Sequence, residues 1–163
     1  MELRLGHQVF RPGDFVLWHD IAPGAVPLVG DRLAGEAAAT GAALACAHPE
    51  RALALGVRAD GVIRDAGTMP TAERVAECLA SGHPVLVTLA AGAEQREDRP
   101  GRADAMVESA DPGLLAAASV YAWLGARVFR TDPGDAGAVR QVLDMVASIK
   151  GTRRPTLARR GLA

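Results

Sequence analysis

The chain has 163 residues, 49% hydrophobic but only 4% aromatic, with a formal net charge of −1. That length suits one domain with a core built from Ala, Val and Leu. The near-neutral charge argues against a nucleic-acid partner. No apolar run is long enough to cross a bilayer, and the start, Met1-Glu-Leu-Arg-Leu, lacks a signal-peptide core. A soluble cytoplasmic protein with no membrane partner is therefore expected. Cys46 and Cys78 read as buried thiols rather than a disulfide.

Along the chain, Leu3 to Phe10 alternates apolar and polar residues, as an edge strand or a lid hairpin would. Phe15 to Ile21 is an apolar run ending in the Gly/Pro loop Ala22–Pro27. Gly30 to Thr40 reads as a helix, with Gly41 as its C-cap. Ala42 to Ala47 is a second strand, ending at His48-Pro49, and Glu50 to Leu55 is a short helix. Gly61 to Asp65 is a third strand; Thr71 then opens a helix that stops at Gly82. His83 to Leu89 is the fourth strand. A polar stretch from Ala91 to Pro112 follows, whose charged part, Glu94 to Arg99, reads as a mobile loop or a lid. An alanine-rich helix, the strand Ala126–Arg130 and a last helix from Asp135 to Ile149 complete the pattern.

Alternating strands and helices of this kind imply βαβ units. The fold class is α/β, with a mainly parallel sheet of about five strands, or six if the N-terminal piece joins it. Residues 1–151 form the domain, with 1–13 as an N-terminal edge strand or hairpin. Residues 152–163 are expected as a basic flexible tail. Lys150, Arg153, Arg154, Arg159 and Arg160 stand together with no acidic neighbour, and setting them aside leaves 13 basic against 19 acidic side chains. A complete (β/α)8 barrel needs roughly 250 residues, so this chain is too short to close one.

Ligand sites of parallel sheets lie at the carboxyl ends of the strands, which singles out His19, Asp20, Asp65 and Arg130. His19 and Asp20 are adjacent in a strand-like run, point to opposite faces and cannot form a dyad. His19 reads as a pocket-rim side chain, and Asp20 as a loop cap or a ligand contact. Asp65 is a turn residue or a ligand carboxylate. Arg130 either pairs with Asp132 or Asp135 or binds an anion. His48 reads as a strand terminus, with its imidazole bonded to nearby backbone, and His83 as solvent-exposed. Trp18 and Trp123 read as core or interface packing. No pair of histidines has metal-ligand spacing, no cofactor is expected, and no catalytic nucleophile is placed beside a base.

From about Gly13 to Gly151 the order of motifs resembles the second half of the dihydropteroate synthase (pterin-binding) family. His19-Asp20-Ile21-Ala-Pro-Gly24 sits where that family has Asn-Asp-Val-Ser-Gly-Gly. Ala38-Ala-Thr-Gly-Ala resembles its Ala-Glu-Thr-Gly-Ala, and His48 falls where its next strand ends in Met-His. Val62-Ile-Arg-Asp-Ala-Gly67 looks like Ile-Leu-Asp-Pro-Gly, and Gly82-His-Pro-Val-Leu-Val87 like Gly-Tyr-Pro-Val-Leu-Val. Gly125-Ala-Arg-Val-Phe-Arg130 and the helix after it match most closely.

The resemblance implies a partial (β/α)8 (TIM) barrel whose family joins p-aminobenzoate to a pterin diphosphate. It also marks departures. Ala90-Ala91-Gly92 stands where the family has Ser-Arg-Lys, Asp132 replaces the His of Arg-Val-His, and His19 replaces an Asn. The loops of the first half of the barrel have no counterpart in this sequence. What the resemblance leaves is a degenerate protein that binds a pterin or small anion through Asp20, Asp65, Arg130 and His19 without catalysis. Two alternatives remain open: a non-catalytic partner or regulatory subunit, and a transferase site completed across a dimer. A half-barrel exposes the inner faces of its strands. It could pair with itself as a homodimer, pair with another half-barrel, flatten, or cover itself with Met1–Phe10; the homodimer is the expected solution.

Overall fold

The computed structural model describes residues 1–90 and 111–152. The chain opens with a hairpin, β1 (Leu3–Leu5) against β2 (Gln8–Phe10), turned at Gly6, whose φ is 58°. These strands pair only with each other, so the N-terminal piece is a hairpin and adds no strand to the main sheet.

Eleven elements follow among the described residues, in βα alternation except that β3 is followed directly by β4. They are β3 (Val16–Leu17), β4 (Leu28–Val29), α1 (Ala34–Thr40), β5 (Leu44–Cys46) and α2 (Pro49–Ala54). Then come β6 (Val62–Thr68), α3 (Ala72–Leu79), β7 (Val85–Thr88), a helix α4 (Pro112–Leu124), β8 (Val128–Arg130) and α5 (Ala136–Ile149). The expected caps are present. Gly41 closes α1 in the left-handed region at φ 70°, and the Thr71 hydroxyl accepts the Arg74 N–H, 3.2 Å away, at the start of α3.

The main sheet has six parallel strands in the order β3-β8-β7-β6-β5-β4. Its sixth member is Leu28–Val29, hidden in sequence by the Gly/Pro run before it. From β4 to β8 each strand lies beside the next in sequence. The pattern wraps round so that β3 joins β8, and β3 and β4 form the two free edges. Residues 18–27 link those edges. This is a barrel interrupted at one seam and curled into an arc.

Strand alternation sends Leu44, Cys46, Val62, Val85, Val87 and Phe129 outward under the helices. Val16, Ala45, Ile63, Leu86 and Val128 point inward. There they meet Leu3 and Leu5 of the hairpin, both fully buried, and Ile21 of the linker. Of the routes open to a half-barrel, the chain takes its own N-terminus as the cover. Arg127, at the entrance to β8, fastens that cover. Its guanidinium donates to the carbonyls of Met1 (2.7 Å), Phe10 (3.3 Å), Arg11 (2.5 Å) and Asp14 (3.4 Å). Arg4 pairs with Asp60 at 3.2 Å on the same side. Among the described residues, the hairpin therefore plugs the amino-terminal end of the arc and leaves the carboxyl end open.

The charged stretch Glu94 to Arg99 and the basic tail from Arg153 lie outside the described residues. No helix among the described residues is long and apolar enough to cross a membrane.

Candidate functional site

The open end gathers a polar side chain from each of β6, β7 and β8. On β6, Ile63 points inward and Arg64 outward, which brings Asp65 back to the inner face. The same alternation turns Thr88 inward two residues after Leu86, and Arg130 inward two residues after Val128. Thr88 and Arg130 are register partners across β7 and β8, while Asp65 sits opposite Leu86 on the far side of β7. Two strand spacings, roughly 10 Å, separate the acid from the guanidinium. That span suits a small ring system held at both ends.

Asp65 accepts the Gly67 N–H at 2.9 Å through Oδ1. It braces the bulge there, where Gly67 adopts φ 94°, and its Oδ2 has no hydrogen-bond partner among the described residues. Beyond the bulge, Met69 takes φ 44° and donates its N–H to the Thr88 carbonyl at 2.9 Å. The Tyr121 hydroxyl donates to the Pro70 carbonyl at 2.6 Å. The loop beside Asp65 is therefore pinned from two sides, and burial raises the Tyr121 pKa, which keeps this hydroxyl a donor. Thr88 Oγ1 is buried with no partner, as is Thr131 Oγ1. Buried hydroxyls of this kind are the exception, and a ligand atom would satisfy the inward-facing one.

Arg130 forms no ion pair with Asp132 or Asp135 in the described structure. Its guanidinium lies over the Trp18 ring, 5.7 Å from the centroid. Sequence reasoning treated Trp18 as packing and missed this role, although a residue following the strand beside β8 is within reach of Arg130.

The other expected residues fall differently. Trp18–Asp20 is a single 3-10 turn rather than strand. His19 Nε2 lies 2.7 Å from the Thr131 carbonyl and ties the end of β3 to the end of β8. The Asp20 carboxylate forms an ion pair with Arg140 of α5. His48 does not bond to backbone through its ring. Its Nδ1 meets Asp31 Oδ2 at 3.0 Å, and its N–H donates to Asp31 Oδ1 at 3.0 Å. The His48 hydrogen bond holds the Asp31 carboxyl below its ordinary value despite partial burial. Asp31 follows β4 at the same open end and was concealed in sequence as the first turn of a helix. His83 is half-buried instead of exposed, with Nδ1 buried and unpartnered.

No group of three or more His, Cys, Asp or Glu side chains able to hold a metal occurs among the described residues. Asp65, Thr88 and Arg130 supply an acceptor, a hydroxyl and a cation on one wall. Such a set can grip a ligand that has N–H groups at one end and negative charge at the other. It contains no base beside a nucleophile.

A curled parallel sheet with outer helices and polar residues at its carboxyl end defines a partial (β/α)8 barrel. No family model matches the chain. It is 37% identical over 132 residues to inactive dihydropteroate synthase 2 of Mycobacterium leprae, covering 72% of this chain and 41% of that protein. With the protein of the same name from Mycobacterium tuberculosis it shares 35% identity over 130 residues, covering 72% and 38%. The structure of Mycobacterium tuberculosis Rv1207 matches with a TM-score of 0.56 and 31% identity, over 77% of this chain and 58% of that one. A dihydropteroate synthase from Coxiella burnetii, solved with pteroic acid, matches with a TM-score of 0.56 over 76% and 57% of the two chains. Its 16% identity speaks for the fold alone. The chain is a dihydropteroate synthase-like half-barrel with degenerate motifs. It spans about two fifths of the length of the curated relatives it matches.

Proposed function

We propose that this protein binds a pterin or a similar small anionic heterocycle at the open end of the arc and does not catalyse its condensation. One observation carries the reading: Asp65, Thr88 and Arg130 face the same side of one sheet, and none of the three is consumed by an ion pair among the described residues. Asp65 would accept the N–H groups of a guanidine-like ring edge, and Arg130 would meet the anionic end. Asp132, where the family pattern has a cation, weakens the grip on a diphosphate. The name of the mycobacterial relatives, inactive dihydropteroate synthase 2, supports the non-catalytic half of the reading.

Asp65 and Arg130 lie on one chain, so a dimer is not required to bring them together, and a transferase site shared between copies is disfavoured. The protein works as a homodimer in a cytoplasmic setting, with residues 1–151 as its folded unit. The test is a melting experiment with a reduced pterin, paired with an assay for dihydropteroate formation. The melting temperature should rise with the pterin, Asp65→Asn should abolish the rise, and no dihydropteroate should form. Turnover above background would overturn the non-catalytic reading, and an unmoved melting temperature the binding one.

A further inference from the structure

Arg130 is the single cationic side chain on the inner faces of β6, β7 and β8 among the described residues. Arg140, the next guanidinium along the chain, is paired with Asp20. A diphosphate carries several negative charges, and proteins hold it with paired cations or with the free N–H groups of a helix N-terminus. The first of these is missing beside Arg130.

The helix start nearest Arg130 is equally ill suited. A 3-10 turn, Pro133–Asp135, leads into α5, with Asp132 at the N-cap of the turn and Asp135 at the N-cap of the helix. Pro133 has no N–H to give. The two carboxylates stand where the helix dipole would otherwise draw in a phosphate. Asp132 also follows Arg130 by two positions in extended backbone, at φ −64° and ψ 147°. That spacing returns a side chain to the same face of a strand. A carboxylate about 7 Å along the chain offsets the attraction of Arg130 for an incoming anion. Residues 91–110, outside the described residues, carry three arginines against five acidic residues, so their composition supplies no positive excess.

We propose that Asp132 makes the open end selective for an unphosphorylated pterin, its arm a neutral hydroxymethyl group, and turns the diphosphate ester away. The proposal rests on the pterin reading above and names the member of that class the site takes. Asp65 still accepts the N–H groups of the ring edge. Thr88 Oγ1, buried without a partner among the described residues, suits an arm hydroxyl, and Arg130 donates to a neutral oxygen without needing a second cation.

Calorimetric titration of the full chain with 6-hydroxymethyl-7,8-dihydropterin and with its diphosphate tests this, run once with EDTA and once with magnesium ion. The alcohol should bind at least about tenfold more tightly in both conditions. Asp132→Asn keeps the size and capping capacity of the side chain but removes its charge. It should tighten the diphosphate by about tenfold and leave the alcohol unchanged. Should that variant fail to fold, the wild type carries the test through salt: the gap should narrow from about 50 to about 500 mM as screening weakens the repulsion. A gap that widens or does not move would overturn charge as its cause. Equal tightening of both ligands in Asp132→Asn would take the role from Asp132. A diphosphate that binds the wild type as tightly as the alcohol would overturn the selectivity and leave the pterin site standing. Binding of neither ligand would overturn the pterin reading itself, and this proposal with it.

Discussion

The guanidinium of Arg130 lies 5.7 Å from the centre of the Trp18 ring, joining the last strand of the sheet to the residue that follows its first. The contact exists because β3 pairs with β8, Leu17 opposite Phe129, so the residues that follow these partners are neighbours.

Removing either partner should therefore be visible in binding. Arg130→Ala should weaken association with a reduced pterin or with pyrophosphate by about tenfold or more, the scale of a charge-assisted hydrogen bond. Trp18→Leu should weaken it less, by the few-fold that a partly exposed cation–π contact is worth. Fluorescence titration reads both, through Trp123 in the second variant. Equal affinities in all three proteins would remove Arg130 from the site.

The N-terminal plug should carry much of the stability. Leu5→Ala empties a fully buried position against Val16, Ile63, Leu86 and Val128, and should cost about 3 kcal/mol in urea denaturation. Arg127→Ala removes four hydrogen bonds to carbonyls and should destabilise by a comparable amount. The two sites fasten one hairpin, so their double variant should lose less than the sum. Strict additivity would mean that the clamp and the plug act separately.

Acid should loosen the protein in two stages. Burial, with Arg64 nearby, pushes the His83 imidazole below its ordinary 6.5, so the folded state favours the neutral ring. Stability from this group is present above pH 6.5 and declines as the pH falls below it, where the unfolded chain binds the proton first. Asp31, held below 3.8 by His48, adds a second decline below about pH 4. Melting temperatures across pH should show both. His83→Gln should flatten the first stage alone, and Asp31→Asn the second alone.

The thiols should be silent in the folded protein. Burial raises the Cys46 pKa to about 11, and Cys78 is equally enclosed. Neither should react with a thiol reagent at pH 8 until denaturant is added. Rapid labelling of either under native conditions would contradict the packing of β5 or α3.

Strand and helix order was readable because each unit carries its own period and stop signal: Thr71 before α3, Gly41 after α1, Gly125 before β8. The place of Arg130 at the end of its strand was readable, whereas Asp65, expected to end its strand, lies before a bulge that carries β6 on to Thr68. Other features depend on contacts distant in sequence. Leu28–Val29 is a strand only because β5 lies beside it. His83 is buried by tertiary packing, and Asp20 is claimed by Arg140 from a helix 120 positions away. Nothing in the alternation of Leu3 to Phe10 told an edge strand from a plug. That choice is made by Arg127 and by the empty interior of the arc.

The most direct test of the central claim is a calorimetric titration of a reduced pterin into the wild-type protein and into Asp65→Asn. Saturable binding to the first and none to the second, with both proteins folded, is the expected result. Equal binding to both, or heat from neither, would contradict a pterin site at the open end of this half-barrel.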